Sequence, residues 1–131
     1  MGLFSKFKKS ESEGVKKDVV QTPWNVLSRM EQLEEIAEMS NAKPVAIFKH
    51  STRCGISRMV LKQFENSYSL TDNELKLYYL DLLNFRNISD EVGFKFQVIH
   101  QSPQLIVIKN GVAVASASHH NIRAEELQQF I

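Results

Sequence analysis

Two rhythms of apolar and polar positions run along the chain. Val45-Ala46-Ile47-Phe48 and Leu75–Leu82 are nearly continuous apolar runs of strand length, the pattern of strands covered on both faces. Elsewhere apolar residues recur every three or four positions. Leu33, Ile36, Ala37 and Ser40 form one such set, and Ile56, Met59, Val60, Gln63 and Phe64 another, each predicting a helix with that face buried. A short strand, Trp24–Leu27, precedes the first helix. Ser28 with Glu31 three residues on reads as a capping box that opens it, and Asn41 to Pro44 closes it. Thr71-Asp72-Asn73 marks a turn. Asn87, with Asp90 at the third helical position, is expected to cap a third helix, and Gly93 to end it in a left-handed conformation. Leu105–Ile108 and Val112–Ala115 flank Asn110-Gly111, a strong hairpin signal. Asn121 is expected to cap a last helix that buries Ile122, Leu127 and Phe130.

The predicted order is β-α-β-α-β-α-β-β-α, an α/β fold with a mixed central sheet and helices on both faces. Strands joined through helices run parallel by right-handed crossovers, and the final hairpin is antiparallel. That layout brings three distant segments to one rim: the loop carrying Cys54, the Ser102-Pro103 bond, and the polar stretch Ser116–Asn121.

Residues 1 to 22 are rich in Lys, Ser and Glu and lack periodicity, so they are expected to form a flexible tail before a domain at 23–131. A net charge of +1 gives no reason to expect a nucleic-acid partner. No apolar stretch approaches the roughly 20 residues of a membrane span, and the polar start does not read as a signal peptide. A single cysteine in 131 residues cannot form an internal disulfide. The expectation is a cytoplasmic monomer whose thiol stays reduced.

That thiol sits where an apolar strand gives way to a polar loop and then to a helix start. Unpaired N–H groups and the helix dipole there favour a thiolate, and Lys49, His50, Arg53 and Arg58 add positive charge. Cys54 is therefore the candidate nucleophile. Ser57, one turn into the helix, is placed to donate to it. Arg53 and Lys49 are candidates for holding a ligand carboxylate, although Lys49 alternates with Phe48 and also suits a solvent-facing position. Ser118, His119 and Asn121 open the last predicted helix, whose N-terminus would suit an anion. His119-His120 has no cysteine or carboxylate beside it, so no metal site is expected. Asp81 either relays protons beneath the thiol or marks where its strand emerges.

The strand–Cys-x-x-Ser–helix unit, Ser102-Pro103 before a strand, and Lys109-Asn110-Gly111 together resemble the thioredoxin fold. Within it, Phe48-Lys49-His50-Ser51-Thr52-Arg53-Cys54, Ser102-Pro103-Gln104 and Ala117-Ser118-His119 resemble the signatures of the monothiol bacilliredoxins, the YtxJ-like redox proteins of the bacillithiol system. Gly55 stands where many relatives carry proline. The resemblance implies a thiol–disulfide oxidoreductase that takes bacillithiol from S-bacillithiolated client proteins through Cys54. It implies bacillithiol as co-substrate with no tightly bound cofactor, and a low-molecular-weight thiol or partner to finish the cycle. It also implies a cis Pro103, with the Ser102 backbone pairing to the bound disulfide. Because bacillithiol carries a malyl group, an anion site near Ser118–Asn121 follows from the same resemblance. Cys54-Gly55-Ile56-Ser57 resembles as well the Cys-Gly-Phe-Ser of glutaredoxin-like iron–sulfur carriers, and a non-catalytic binding module on this fold is a third reading.

Overall fold

A computed structural model describes residues 21–131; the expected tail lies outside the described residues apart from Gln21 and Thr22. The elements are β1 (Asn25–Val26), α1 (Gln32–Met39), β2 (Val45–His50), α2 (Gly55–Ser67), β3 (Lys76–Asp81), α3 (Arg86–Phe96), β4 (Gln104–Lys109) and β5 (Val112–Ser118). Two 3-10 segments follow, His119–Asn121 and Ala124–Phe130. The sheet order is β1-β3-β2-β4-β5. β1 and β2 run parallel to β3, β4 is antiparallel to β2, and β5 is antiparallel to β4.

β2 lies at the centre, and every one of its residues is buried. Its alternation divides the core in two, as a strand period of two requires. Val45 and Ile47 pack with Leu33 and Ile36 of α1 and Ile88, Val92 and Phe96 of α3. Ala46 and Phe48 pack on the other face with Val60 and Phe64 of α2 and with Ile122 and Leu127 near the C-terminus. Each large side chain buried this way contributes about 1.5–3 kcal/mol. Trp24 closes the second core, its ring centroid 5.9, 5.8 and 5.6 Å from those of Phe48, Phe64 and Tyr79. Its indole N–H donates to Glu65 at 2.7 Å.

The β4–β5 hairpin forms as the sequence predicts, with Asn110 and Gly111 both at positive φ, 54° and 79°. The turn is tied to the end of α1: the Gly111 N–H donates to Ser40 Oγ at 2.8 Å and the Asn110 N–H to the Ser40 carbonyl at 2.9 Å.

Several local expectations are corrected. Ser28 and Glu31 form no capping box. Gln32 takes that part, its Oε1 accepting from the Ser28 and Arg29 N–H groups while its Nε2 donates to the Val26 carbonyl. One amide side chain holds both donor and acceptor, so it closes the turn that two residues were expected to close. α3 starts at Arg86 behind Phe85, not at an Asn87 cap. It ends at Gln97, which takes the left-handed conformation at φ 57°. Gly93 is needed for space instead: a Cβ there would stand 3.0 Å from the Val98 carbonyl oxygen. The last helix is not α-helical, and Asn121 caps nothing. Ile122 and Ala124 are both buried, as an extended chain allows by placing alternate residues on one face. Ile122 and Arg123 are indeed extended, and they split the segment into two short 3-10 pieces.

Candidate active site around Cys54

β2 ends at His50, and Ser51–Arg53 carries the chain out of the sheet to Cys54. Cys54 is the N-cap of α2, with φ −103° and ψ 123°, and is half-buried. Its N–H donates to the Ser51 carbonyl at 3.2 Å and its carbonyl accepts from the Arg58 N–H at 3.0 Å, fixing the loop on both sides of the thiol. The first-turn N–H groups of α2 have no intrahelical acceptor, and Cys54 makes no side-chain cap hydrogen bond to them.

Ser57 is fully buried and turned beneath the loop. Its Oγ accepts from the Ser51 N–H at 3.1 Å and lies 2.8 Å from His50 Nδ1. It anchors the loop, and with both contacts facing inward it takes a different part from the expected donor to the thiolate. Ser57→Ala leaves the Ser51 N–H and the His50 ring nitrogen without this partner. An expected destabilisation of about 1–2 kcal/mol, measured by urea unfolding, accompanies faster proteolysis at the loop.

His50 is buried between Ser57 and Tyr79, whose ring centroid lies 5.7 Å from its own. Burial lowers its pKa; Asp81 and Glu65 oppose that shift and Arg58 adds to it. Asp81 faces His50 in the strand register. The Asp81 carboxylate accepts from the Asn84 side chain at 2.8 Å and from the Asn84 N–H at 3.4 Å, so it closes the turn after β3.

Lys49 departs furthest from expectation. It is 0% exposed, and its Nζ lies 2.8 Å from His100 Nδ1. Burial pushes its ammonium down to about 8, against the pull of Asp90. It reaches no ligand on the rim. Ser51, three residues upstream of the thiol, begins the loop that leaves the sheet, and Lys49 stays inside it.

The Ser102-Pro103 bond is cis, and the Pro103 carbonyl accepts from the His119 N–H at 3.1 Å, which joins these two segments on the rim. The remaining candidates separate. Arg53 lines a groove of about 510 Å³ together with Thr52, Leu83, Asn84 and Arg86. Ser118 lines a different one of about 470 Å³ with Val98, Ile99 and Gln101. His120 borders a third, of about 300 Å³, with Gln63 and Ser67. Asn121 is exposed and lines none of these three.

Two features escaped the sequence reading. Ile56 and Met59, expected on the buried face of α2, are 50% and 45% exposed. Val60 and Phe64 are buried as expected, and Ser57 completes the buried face in place of Ile56, Met59 and Gln63; the three- and four-residue spacing of Ser57, Val60 and Phe64 was a signal for it. Asn84 and Arg86 were also missed. Loops that follow neighbouring parallel strands emerge at the same sheet edge, and β2 and β3 are such a pair.

The family model for Monothiol bacilliredoxin BrxC matches residues 25–127. The chain belongs to the monothiol bacilliredoxin family. Solved structures share its fold. A thioredoxin-fold protein proposed to be an oxidoreductase is 32% identical, with a TM-score of 0.68, over 82% of this chain and 92% of that one. Malassezia sympodialis thioredoxin (Mala s 13), at 23% identity and a TM-score of 0.63, covers 84% of this chain and 88% of its own. Fasciola hepatica thioredoxin, at 20% and 0.57, covers 79% and 92%. This bacilliredoxin is thus a thioredoxin-fold thiol redox protein with one cysteine. Among the described residues no His, Cys, Asp or Glu cluster is arranged to hold a metal ion, and no helix is long and apolar enough to cross a membrane.

Proposed function

We propose that this bacilliredoxin removes bacillithiol from S-bacillithiolated client proteins in the cytoplasm, acting as a monomer with bacillithiol as co-substrate and no tightly bound cofactor. The Cys54 thiolate attacks the bacillithiol sulfur of the mixed disulfide. The client–bacillithiol S–S bond breaks, a Cys54–bacillithiol S–S bond forms, and the client leaves as a thiolate. A second small-thiol thiolate then attacks the bacillithiol sulfur of the adduct, releasing the symmetrical disulfide and restoring Cys54. The Ser102 backbone, two residues before the Gln104 that pairs with Lys49, would pair with the bound disulfide.

One observation carries the reading: the chain's single cysteine caps α2 at an accessible rim. A thiol so placed can receive a small thiol and has no second cysteine with which to expel it. The test follows both halves of the transfer by mass spectrometry, on a purified S-bacillithiolated protein mixed with equimolar reduced bacilliredoxin. The expected result is a bacillithiol adduct on Cys54 appearing in step with the free client thiol. Release of client thiol with no adduct, or no release, rejects the proposal.

A further inference from the structure

The groove of about 510 Å³ between the Cys54 loop and the turn after β3 has a wall chemistry that the thiol transfer itself does not use. Arg53, the residue before the nucleophile, contributes one side; Arg86, the first residue of α3, contributes the other; Thr52 and Asn84 add polar groups. Both arginines are exposed. Among the described residues neither has a carboxylate within 4.0 Å, whereas Arg29, Lys76, Lys95 and Arg123 each have one. The acid of this turn, Asp81, is engaged with the Asn84 side chain and backbone. The groove is therefore a cationic recess lined by the residue that precedes the nucleophile, within the size range of small-molecule sites.

We propose that this groove holds the carboxylates of the small thiol while its sulfur is transferred to Cys54, with Arg53 and Arg86 as the two contacts. The inference rests on the transfer reaction above and names the part of the substrate that the chain reads. A dicarboxylate offers four oxygens to two guanidinium forks, and planar fork-to-carboxylate pairing favours arginine over lysine. The assignment moves the anion site away from Ser118–Asn121, where no helix N-terminus forms, to the opposite side of the thiol.

The test compares Cys54 reaction rates with bacillithiol disulfide and with uncharged 2-hydroxyethyl disulfide, for the wild-type chain, Arg53→Gln, Arg86→Gln, the double variant and Arg86→Lys. Each single glutamine variant is expected to slow reaction with bacillithiol disulfide about two- to fivefold, the range for exposed charge pairs. The double variant should lose about the product, Arg86→Lys should recover part of the rate, and the wild-type preference should shrink with added salt. For each variant the loss with bacillithiol disulfide should exceed the loss with 2-hydroxyethyl disulfide by that factor, since the charge pair itself is worth little to an uncharged substrate. Equal losses on both disulfides would mean that the arginines act on the thiol or the loop and would overturn the assignment, as would no loss on either. A second pair of substrates separates carboxylates of the thiol from those of a client: one protein carrying bacillithiol or 2-mercaptoethanol on the same cysteine. Slowing confined to the bacillithiol form supports the groove, and slowing on both forms overturns it. If the wild-type chain discriminates between the disulfides as expected yet leaves bacillithiolated protein untouched, the groove stands and the client-directed reaction falls.

Discussion

Replacing Cys54 with serine is expected to abolish formation of the small-thiol adduct and release of client thiol, while leaving the fold intact. A serine hydroxyl is un-ionised at neutral pH, and its oxygen forms no exchangeable bond with sulfur in this chemistry. The sequence holds no other cysteine to substitute for it. The fold should tolerate the change because Cys54 is half-buried and makes no side-chain cap hydrogen bond. Serine is among the favoured N-cap residues, so thermal stability should hold or rise, by up to about 1 kcal/mol. Intact-mass spectrometry checks the adduct, and denaturant unfolding checks the fold. Residual transfer in Cys54→Ser would remove the thiol from the mechanism altogether.

Lys49→Met is expected to stabilise the protein at pH 7 by about 1–3 kcal/mol, because lowering the ammonium pKa from 10.5 to about 8 corresponds to a burial cost of about 3 kcal/mol, offset by about 1 kcal/mol for the lost contact with His100. Lys49 lies with no exposed surface in the central strand, with His100 as its hydrogen-bond partner. Its pKa is lowered from 10.5 to about 8, chiefly by burial. Between those values the unfolded chain binds a proton at Lys49 that the folded chain does not, so this contribution to stability rises with pH. Below pH 8 the folded protein carries the full cost of a buried ammonium; toward pH 10.5 that cost disappears. The advantage of methionine should therefore be greatest at neutral pH and shrink on going from pH 8 to pH 10.5. Urea unfolding of both forms at pH 7, 8.5 and 10 decides it. A constant advantage across that range would assign the gain to packing, and a loss at pH 7 would make the Lys49–His100 contact a net stabiliser.

His50 acts over a different window. Its folded pKa is lowered, so its share of stability is complete above the unfolded value near 6.5 and fades as pH falls through that value toward the folded one.

The architecture was readable because its strongest signals are the least dependent on context. The apolar runs of β2 and β3 and the Asn110-Gly111 turn admit few alternatives, and together with the alternation of elements they set the sheet. The α/β class followed from them, whereas the thioredoxin fold and the bacilliredoxin family came from a resemblance carried by the ordered set of motifs around Cys54, Ser102-Pro103-Gln104, Lys109-Asn110-Gly111 and Ala117-Ser118-His119. The details that failed were those decided by competition between neighbours. Either Ser28 or Gln32 can close the start of α1, and the longer amide prevails by bonding in three places. The face of α2 is one residue away from that read from its largest apolar side chains, because Ser57 is drawn inward by His50 and the Ser51 amide. Lys49 shows the same limit: alternation placed it correctly opposite Phe48, but whether that second side is solvent or α3 is a tertiary fact. The segment after β5 looked helical by composition, and only the joint burial of Ile122 and Ala124 shows why it is not.

The buried Ser57 hydroxyl also bears on how such a chain changes chemistry over evolutionary time. A second thiol at this position would stand one helical turn from Cys54, close enough to resolve an adduct internally. The same substitution would remove the acceptor for the Ser51 N–H and place a larger atom, and a weaker acceptor, in a site with no room exposed to solvent. Ser57→Cys is therefore expected to gain a resolving thiol at the expense of the loop anchor, and a compensating change at Ser51 or His50 would restore the lost contacts.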